Sequence, residues 1–262
     1  MKLNGKNIIL TGASSGIGLE LLQLLLQYDV RILAVARNID KITFSDSKME
    51  KYSCDISVKE NIDNLLEHAL LKFGTIDIYI ANAGFAYYEI IKDADYSKIN
   101  SIFNTNVFST IYSFDKLRVI NAKRPFSFAV TASAMSFFAI PGYTLYSSTK
   151  SALKGWADCI RWETSPDHKL IMVYPIATIT NFFKNASENN APMPWPRQTA
   201  KKVANEILKG IINDSKEVFP SKIFSIMKWF FSVFPFLFMI YGKIEAEKMK
   251  KYFNKLNSEK SA

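Results

Sequence analysis

Short runs of β-branched and aliphatic residues alternate along this chain with longer stretches whose apolar positions recur every three or four residues. KNIILTG (6–12) reads as a strand, and GLELLQLLLQY (18–28) as a helix with its leucines on one face. VRILAVA (30–36) is a second strand and MEKYSCD (49–55) a weaker third. ENIDNLLEHALLKFG (60–74) is a helix ending at Gly74, and IDIYIANAG (76–84) a fourth strand. A long helical region over 95–121 precedes strand FSFAVTAS (126–133), and a helix over 143–163 precedes strand KLIMVYP (169–175). A polar, proline-rich loop (181–197), helix QTAKKVANEILKGIIN (198–213) and short strand KEVFP (216–220) follow. Strands apolar on both faces, separated by helices, predict an α/β domain with a doubly wound, mostly parallel sheet of about seven strands. This domain is expected to occupy 1–220, with 221–262 as a helical C-terminal extension.

TGASSGIG (11–18) falls between the first strand and the first helix. Gly12 permits a tight turn there. Gly16 and Gly18 let backbone amides and the helix N-terminus come close to a pyrophosphate. No lysine follows the last glycine, which excludes a P-loop; a turn using glycine for geometry alone is the alternative. The second strand ends AVARN, with Ala36 where a dinucleotide site selective for NAD places an acid, and then Arg37. An arginine there can pair bidentately with a ribose 2′-phosphate, which favours NADP(H) over NAD(H). A surface arginine without a ligand is the competing reading.

In YSSTK (146–150), Tyr146 and Lys150 stand four positions apart, on one face of a helix. Taken alone, the pair reads better as a solvated helix face. With the glycine turn, NAG (82–84), Asn106 in NTNV and Ser133 in TASAMS, thirteen positions before Tyr146, the pattern resembles the short-chain dehydrogenase/reductase family over roughly 5–220. The resemblance implies a Rossmann-type domain and a catalytic tetrad of Asn106, Ser133, Tyr146 and Lys150. It also implies cofactor contacts from Gly12, Ser14, Ser15, Gly16, Ile17, Gly18 and Arg37. Asp55 would hydrogen-bond the adenine with Ile56 beside it, Asn82, Ala83 and Gly84 would line the adenosine ribose, and Pro175, Ile179 and Thr180 would hold the nicotinamide. The expected partner is a small carbonyl or alcohol substrate, and the expected assembly a homodimer or homotetramer.

The chemistry accounts for these residue types. Carbonyl reduction needs a hydride and a proton delivered to oxygen. A free tyrosine, with a pKa of about 10, is a poor base near neutrality. A neighbouring ammonium, together with the positive charge of an oxidised nicotinamide, favours the phenolate, so Lys150 and the cofactor are expected to lower the pKa of Tyr146. By resemblance Lys150 also grips the nicotinamide ribose, Ser133 hydrogen-bonds the substrate oxygen, and Asn106 anchors a water linking Lys150 to solvent. Such a protein interconverts a ketone or aldehyde with an alcohol. A 3-oxoacyl thioester reductase and a non-catalytic NADP(H) sensor are the rivals.

Two departures from the family pattern stand out. PIATIT (175–180) carries Ile176 and Thr178 where the family has glycine and valine, so the loop is expected to run differently beneath the nicotinamide. SAMSFF lacks the common glycine near Ser133, and Phe137 and Phe138 either wall the substrate or pack in the core. In the loop 181–197, Phe182, Phe183, Met193 and Trp195 are expected to form an apolar lid stiffened by Pro192, Pro194 and Pro196.

The net charge of +9 gathers partly in the lysine-rich end of the chain. No recognition helix, zinc spacing or basic-aromatic interleaving suggests nucleic acid. Cys54 and Cys159 form neither a disulfide framework nor a metal set, His68 and His168 are expected to be structural, and the first residues do not read as a signal peptide. A cytoplasmic location follows as the expectation. SKIFSIMKWFFSVFPFLFMIYGK (221–243) qualifies it. Ser221, Ser225, Lys228 and Ser232 make a narrow polar stripe beside a wide apolar one, and Pro235 should break the helix. A helix lying on a membrane surface, one packed over the substrate mouth or a second subunit, and a transmembrane anchor remain open.

Overall fold

The computed structural model describes residues 2–187 and 190–261. Six apolar runs become parallel strands: β1 (Lys6–Thr11), β2 (Val30–Ala36), β3 (Met49–Ser53), β4 (Ile78–Ala81), β5 (Phe126–Thr131) and β6 (His168–Val173). Two further strands, β7 (Ala177–Ile179) and β8 (Arg197–Thr199), pair only with each other. The last, β9 (Glu217–Val218), returns to the main sheet beside β6. The resulting order is β3-β2-β1-β4-β5-β6-β9, seven strands and parallel throughout.

The helices are α1 (Gly16–Leu25), α2 (Lys59–Phe73), α3 (Tyr96–Phe103), α4 (Ser109–Ile120), α5 (Thr144–Glu163), α6 (Phe182–Asn185), α7 (Ala200–Ile212), α8 (Lys222–Val233) and α9 (Pro235–Ser261). One sheet face is covered by α1 and α7, with Leu21, Leu22 and Leu25 buried in a cluster with Val203, Ile207 and Ile211. The other is covered by α2, α4 and α5 through Leu65, Phe114, Leu117, Leu153 and Ala157. Helices on both faces explain why β4 is buried at every position: a strand with no solvated side has no place for polar residues.

Where the chain departs from its pattern, the cause is local. The helical region over 95–121 is interrupted by a π-helical turn at Asn104–Phe108. Gly74 ends α2 in a left-handed conformation (φ 76°), its N–H bonded to Leu70 O. Pro235 begins α9 after α8 stops at Val233, and the two helices bend by 117°. Among the described residues no single helix is long and apolar enough to cross a membrane, and this pair meets that test only together. A span made by this pair would be a broken one.

Candidate active site

The strand order reverses between β1 and β4, which opens a crevice at the carboxyl ends of the strands. A cavity of ≈ 620 Å³ lies there. The β1–α1 turn forms its floor: Gly12, Ser14, Ser15, Gly16 and Ile17 all line it. Gly12 has φ +67°, and a Cβ on it would stand 2.8 Å from the Ala83 backbone. Gly18 does not line the cavity. A side chain there would strike the Gly12 carbonyl, so its role is to seat α1 against β1. Ser15 caps α1 without a side-chain hydrogen bond, leaving first-turn N–H groups without a side-chain acceptor. Such a cradle fits the pyrophosphate of a dinucleotide.

At one end of the cavity stand Arg37, Asn38, Lys41, Asp55 and Ile56. Asp55 accepts from the Ser57 amide (2.9 Å) and hydroxyl (2.7 Å). Burial, with Asp55 adjacent, pushes the Cys54 thiol up to about 11, so this cavity-lining cysteine stays protonated. Neither Arg37 nor Lys41 has a carboxylate partner among the described residues. Lys41 is a second cation beside Arg37 that spacing alone did not single out. It reaches the cavity through the short helical turn Ile39–Lys41, capped by Asn38.

Asn82, Ala83 and Gly84 line the middle of the cavity. Asn82 is locked in place by its Nδ2 donating to Thr11 O (3.2 Å) and its Oδ1 accepting from Thr131 Oγ1 (3.2 Å). Ser133 follows β5, and its hydroxyl accepts from Met135 N (3.1 Å). Tyr146 sits in the first turn of α5 and Lys150 one turn later, both buried and both lining the cavity. The Lys150 ammonium donates to Thr131 O at 2.8 Å and stands 5.5 Å from the centre of the Tyr146 ring. Ser133, Tyr146 and Lys150 are thus brought to one wall.

A phosphate cradle and this triad converge in one crevice, and the profile described as "short chain dehydrogenase" matches residues 6–191. The chain belongs to the short-chain dehydrogenase family. It is 27% identical over 241 residues to a 3-ketodihydrosphingosine reductase of Bos taurus, covering 82% of this chain and 72% of that one. It is 25% identical over 225 residues to the 11-beta-hydroxysteroid dehydrogenase-like 4A of Arabidopsis thaliana, covering 81% and 74%. Its fold matches that of a short chain dehydrogenase from Burkholderia cenocepacia in complex with NADP, with TM-score 0.80 and 18% identity over 92% of this chain and 99% of that one. The protein is therefore a short-chain dehydrogenase/reductase, an oxidoreductase of CH–OH groups.

Within this family member, the ionisation of the pair runs against the sequence-based expectation. Burial raises Tyr146 to about 12, with a hydrogen bond from Ser133 pulling weakly the other way. Burial also lowers Lys150 to about 8. The expected depression of the tyrosine by the lysine is outweighed, because both groups lie too deep for either charge to be well solvated.

Asn106 is 1% exposed, in the π-helical turn, and does not line the cavity. Its Nδ2 donates to Phe85 O (2.9 Å) and Thr149 Oγ1 (3.2 Å), and its Oδ1 accepts from Phe85 N (3.1 Å). The side chain therefore ties the segment after β4 to α5, one residue before Lys150.

Within PIATIT, Ala177–Ile179 form β7. Pro175, Ile176, Ala177, Thr178 and Thr180 line the cavity, and Ile176 has no positive φ, so it replaces glycine without strain. Ile179 does not line it. Its side chain is 57% exposed.

Phe137 is corrected as a substrate residue. It packs on Tyr174, Phe219 and Phe224, away from the cavity, while Phe138 lines it. Phe182, Phe183 and Trp195 line it as expected, and Phe182 meets the Tyr146 ring edge to face at 5.4 Å. Of the lid 181–197, residues 188 and 189 lie outside the described residues.

The rest of the wall comes from the tail: Phe224, Met227 and Phe231 of α8 and Tyr241 of α9. The Tyr241 hydroxyl donates to Trp195 O (3.1 Å), joining tail and lid. The i, i+3, i+7 spacing of the three α8 residues was the available signal for this wall.

Proposed function

We propose that this protein is an NADP(H)-dependent reductase of a hydrophobic ketone or aldehyde, working in both directions with Tyr146 as the acid/base. The observation that carries the reading is one continuous cavity. Two unpaired cations stand at one end, a phosphate cradle lies along the floor, Ser133, Tyr146 and Lys150 form a wall, and Phe138, Phe182 and Phe231 enclose the remainder. The names of the bovine and plant relatives, a ketosphingoid reductase and a hydroxysteroid dehydrogenase-like protein, support a lipophilic substrate.

The bound dinucleotide supplies the hydride. Gly12 to Ile17 would hold its pyrophosphate, Arg37 and Lys41 a 2′-phosphate, and Asp55 the adenine. Ser133 donates to the substrate oxygen, placing it beside the Tyr146 hydroxyl. Tyr146, protonated across the neutral range because burial holds its pKa near 12, delivers the proton to that oxygen as charge develops there. Lys150, held by Thr131 O, keeps a positive charge near the resulting phenolate below about pH 8. Phe182 over the tyrosine ring keeps water away. Asn106 acts as a positioning residue through Thr149.

The test is loss of reduced-nicotinamide absorbance across a panel of ketones and aldehydes, from short aromatic ketones through steroids and long-chain ketones to 3-oxoacyl thioesters. Tyr146→Phe is the blank. Turnover lost in the variant supports the enzyme, and the best substrate separates lipid ketone from thioester. Tight NADPH binding with no turnover on any member would leave the non-catalytic sensor.

A further inference from the structure

The helix α8 is mounted inside out. The polar residues that an amphipathic helix of a water-soluble protein turns to solvent are here turned inward or satisfied within the helix. Ser221 is buried and accepts from Phe224 N as the helix cap. The Lys228 ammonium lies over the rings of Phe137 (4.2 Å) and Phe219 (4.6 Å). Ser225 and Ser232 are exposed, yet each hydroxyl donates to a carbonyl of its own helix, Ser221 O (3.4 Å) and Trp229 O (2.8 Å). Hydroxyls bonded back in this way have no need of water.

What faces outward is apolar. Of the 21 large apolar side chains exposed among the described residues, 10 fall between Ile223 and Ile244, including Trp229 (58%) and Met239 (65%). Monomeric water-soluble proteins do not carry such a concentration without a partner. The chain from Ser221 to Ile244 contains no acidic residue, and exposed Lys222 and Lys243 stand at its two ends. Beyond them, Lys248, Lys250 and Lys255 of α9 pair with Glu245, Glu247 and Glu259 of the same helix, so the excess positive charge there rests on Lys222, Lys243 and Lys251.

We propose that the outer face of α8 and the first turns of α9 dock in the plane of an anionic lipid surface, apolar side chains in the acyl boundary and lysines among the headgroups. The 117° bend suits a helix pair that enters one leaflet and does not cross it. Charge decides between lipid and a second copy of the chain. A symmetric self-contact through this acid-free face would set lysines against lysines, whereas an anionic surface neutralises them. The inner face of α8 walls the substrate cavity, so the same helix touches both. Building on the reductase reading, a lipophilic carbonyl then reaches Tyr146 from the bilayer side.

The experiment is co-sedimentation of the full chain with vesicles of phosphatidylcholine, with and without phosphatidylglycerol. The variants are Ile226→Glu with Trp229→Glu, and Lys222→Glu with Lys243→Glu, all outside the cavity wall. The expected result is binding to the anionic vesicles, abolished by the first pair and weakened roughly tenfold by the second. Turnover of a small water-soluble aldehyde stays unchanged, while kcat/KM for a vesicle-dissolved long-chain ketone falls. A parent protein that stays in the supernatant with every vesicle overturns the proposal, as does a first pair that still binds. So does a parent dimer that the same pair dissociates without any vesicle binding. Absence of turnover with vesicle binding intact would sink the reductase reading alone.

Discussion

Lys150 donates its ammonium proton to Thr131 O at 2.8 Å while standing 5.5 Å from the centre of the Tyr146 ring, so one side chain joins the end of β5 to the proposed acid/base residue of α5. Removing the phenol while keeping the ring should therefore leave this framework intact. Tyr146→Phe is expected to lower kcat roughly 10²- to 10⁴-fold, with NADPH affinity nearly unchanged in a fluorescence titration. Lys150→Met should lower both, because it also removes the link to Thr131.

The two directions should respond to pH differently. With Tyr146 near 12, the phenol is protonated at neutral pH, ready for reduction and wrong for oxidation. Alcohol oxidation measured as kcat/KM should climb with a slope approaching tenfold per unit up to about pH 8 and level off above it, where Lys150 loses its charge. Carbonyl reduction should lack that rise. An oxidation rate flat with pH would contradict a tyrosine base.

Cofactor choice should rest on two cations rather than one. Arg37→Asp is expected to weaken NADPH by about 2 kcal/mol, the scale of a charged hydrogen bond, and to erode its advantage over NADH in calorimetric titrations. Lys41→Ala should do the same to a smaller degree and leave NADH binding unmoved. Equal affinity of the parent protein for both cofactors would remove the assignment.

Asn106→Ala should act through position. It leaves the Phe85 N–H and C=O without their partner, at a cost of about 2 kcal/mol in denaturant unfolding. Turnover should fall even where the protein remains folded, and Asn106→Asp should restore less than half of the lost bonds because it cannot donate to Phe85 O or Thr149. Unaltered stability in the alanine variant would show the network to be dispensable.

Phe182→Ala should open the cavity above Tyr146. Losing the edge-to-face contact costs about 1 kcal/mol, read as a higher KM for bulky ketones with a smaller change for short ones.

Much of the fold was legible because its signals are local. A glycine turn between a strand and a helix, and a tyrosine four residues before a lysine, are spacings that backbone geometry converts directly into a cradle and a shared helix face. Seven parallel strands follow from seven apolar runs. The unread parts depend on depth and orientation. Phe137 and Phe138 are identical in type and adjacent, and only the exit angle from the turn at Ala134–Ser136 decides which one sees the cavity. The sign of the Tyr146 shift needs the burial of both partners, which spacing does not encode. Ile176 in place of glycine suggested a detour, whereas the chain passes through it without a positive φ. For α8 the periodicity revealed a polar stripe, and packing turned Ser221 and Lys228 inward while leaving Ser225 and Ser232 exposed.

The bond from Tyr241 to the Trp195 carbonyl has a practical corollary for anyone shortening the chain. A fragment trimmed after Pro220 to improve expression would keep every motif of its family and still lack a wall of its active site. Phe224, Met227 and Phe231 would be gone, and the lid would lose its tether. Kinetic constants from such a fragment would belong to a wider, wetter pocket. Substrate preferences measured on it would drift toward small polar carbonyls, so a chain that keeps residues 221–262 is the material from which specificity should be read.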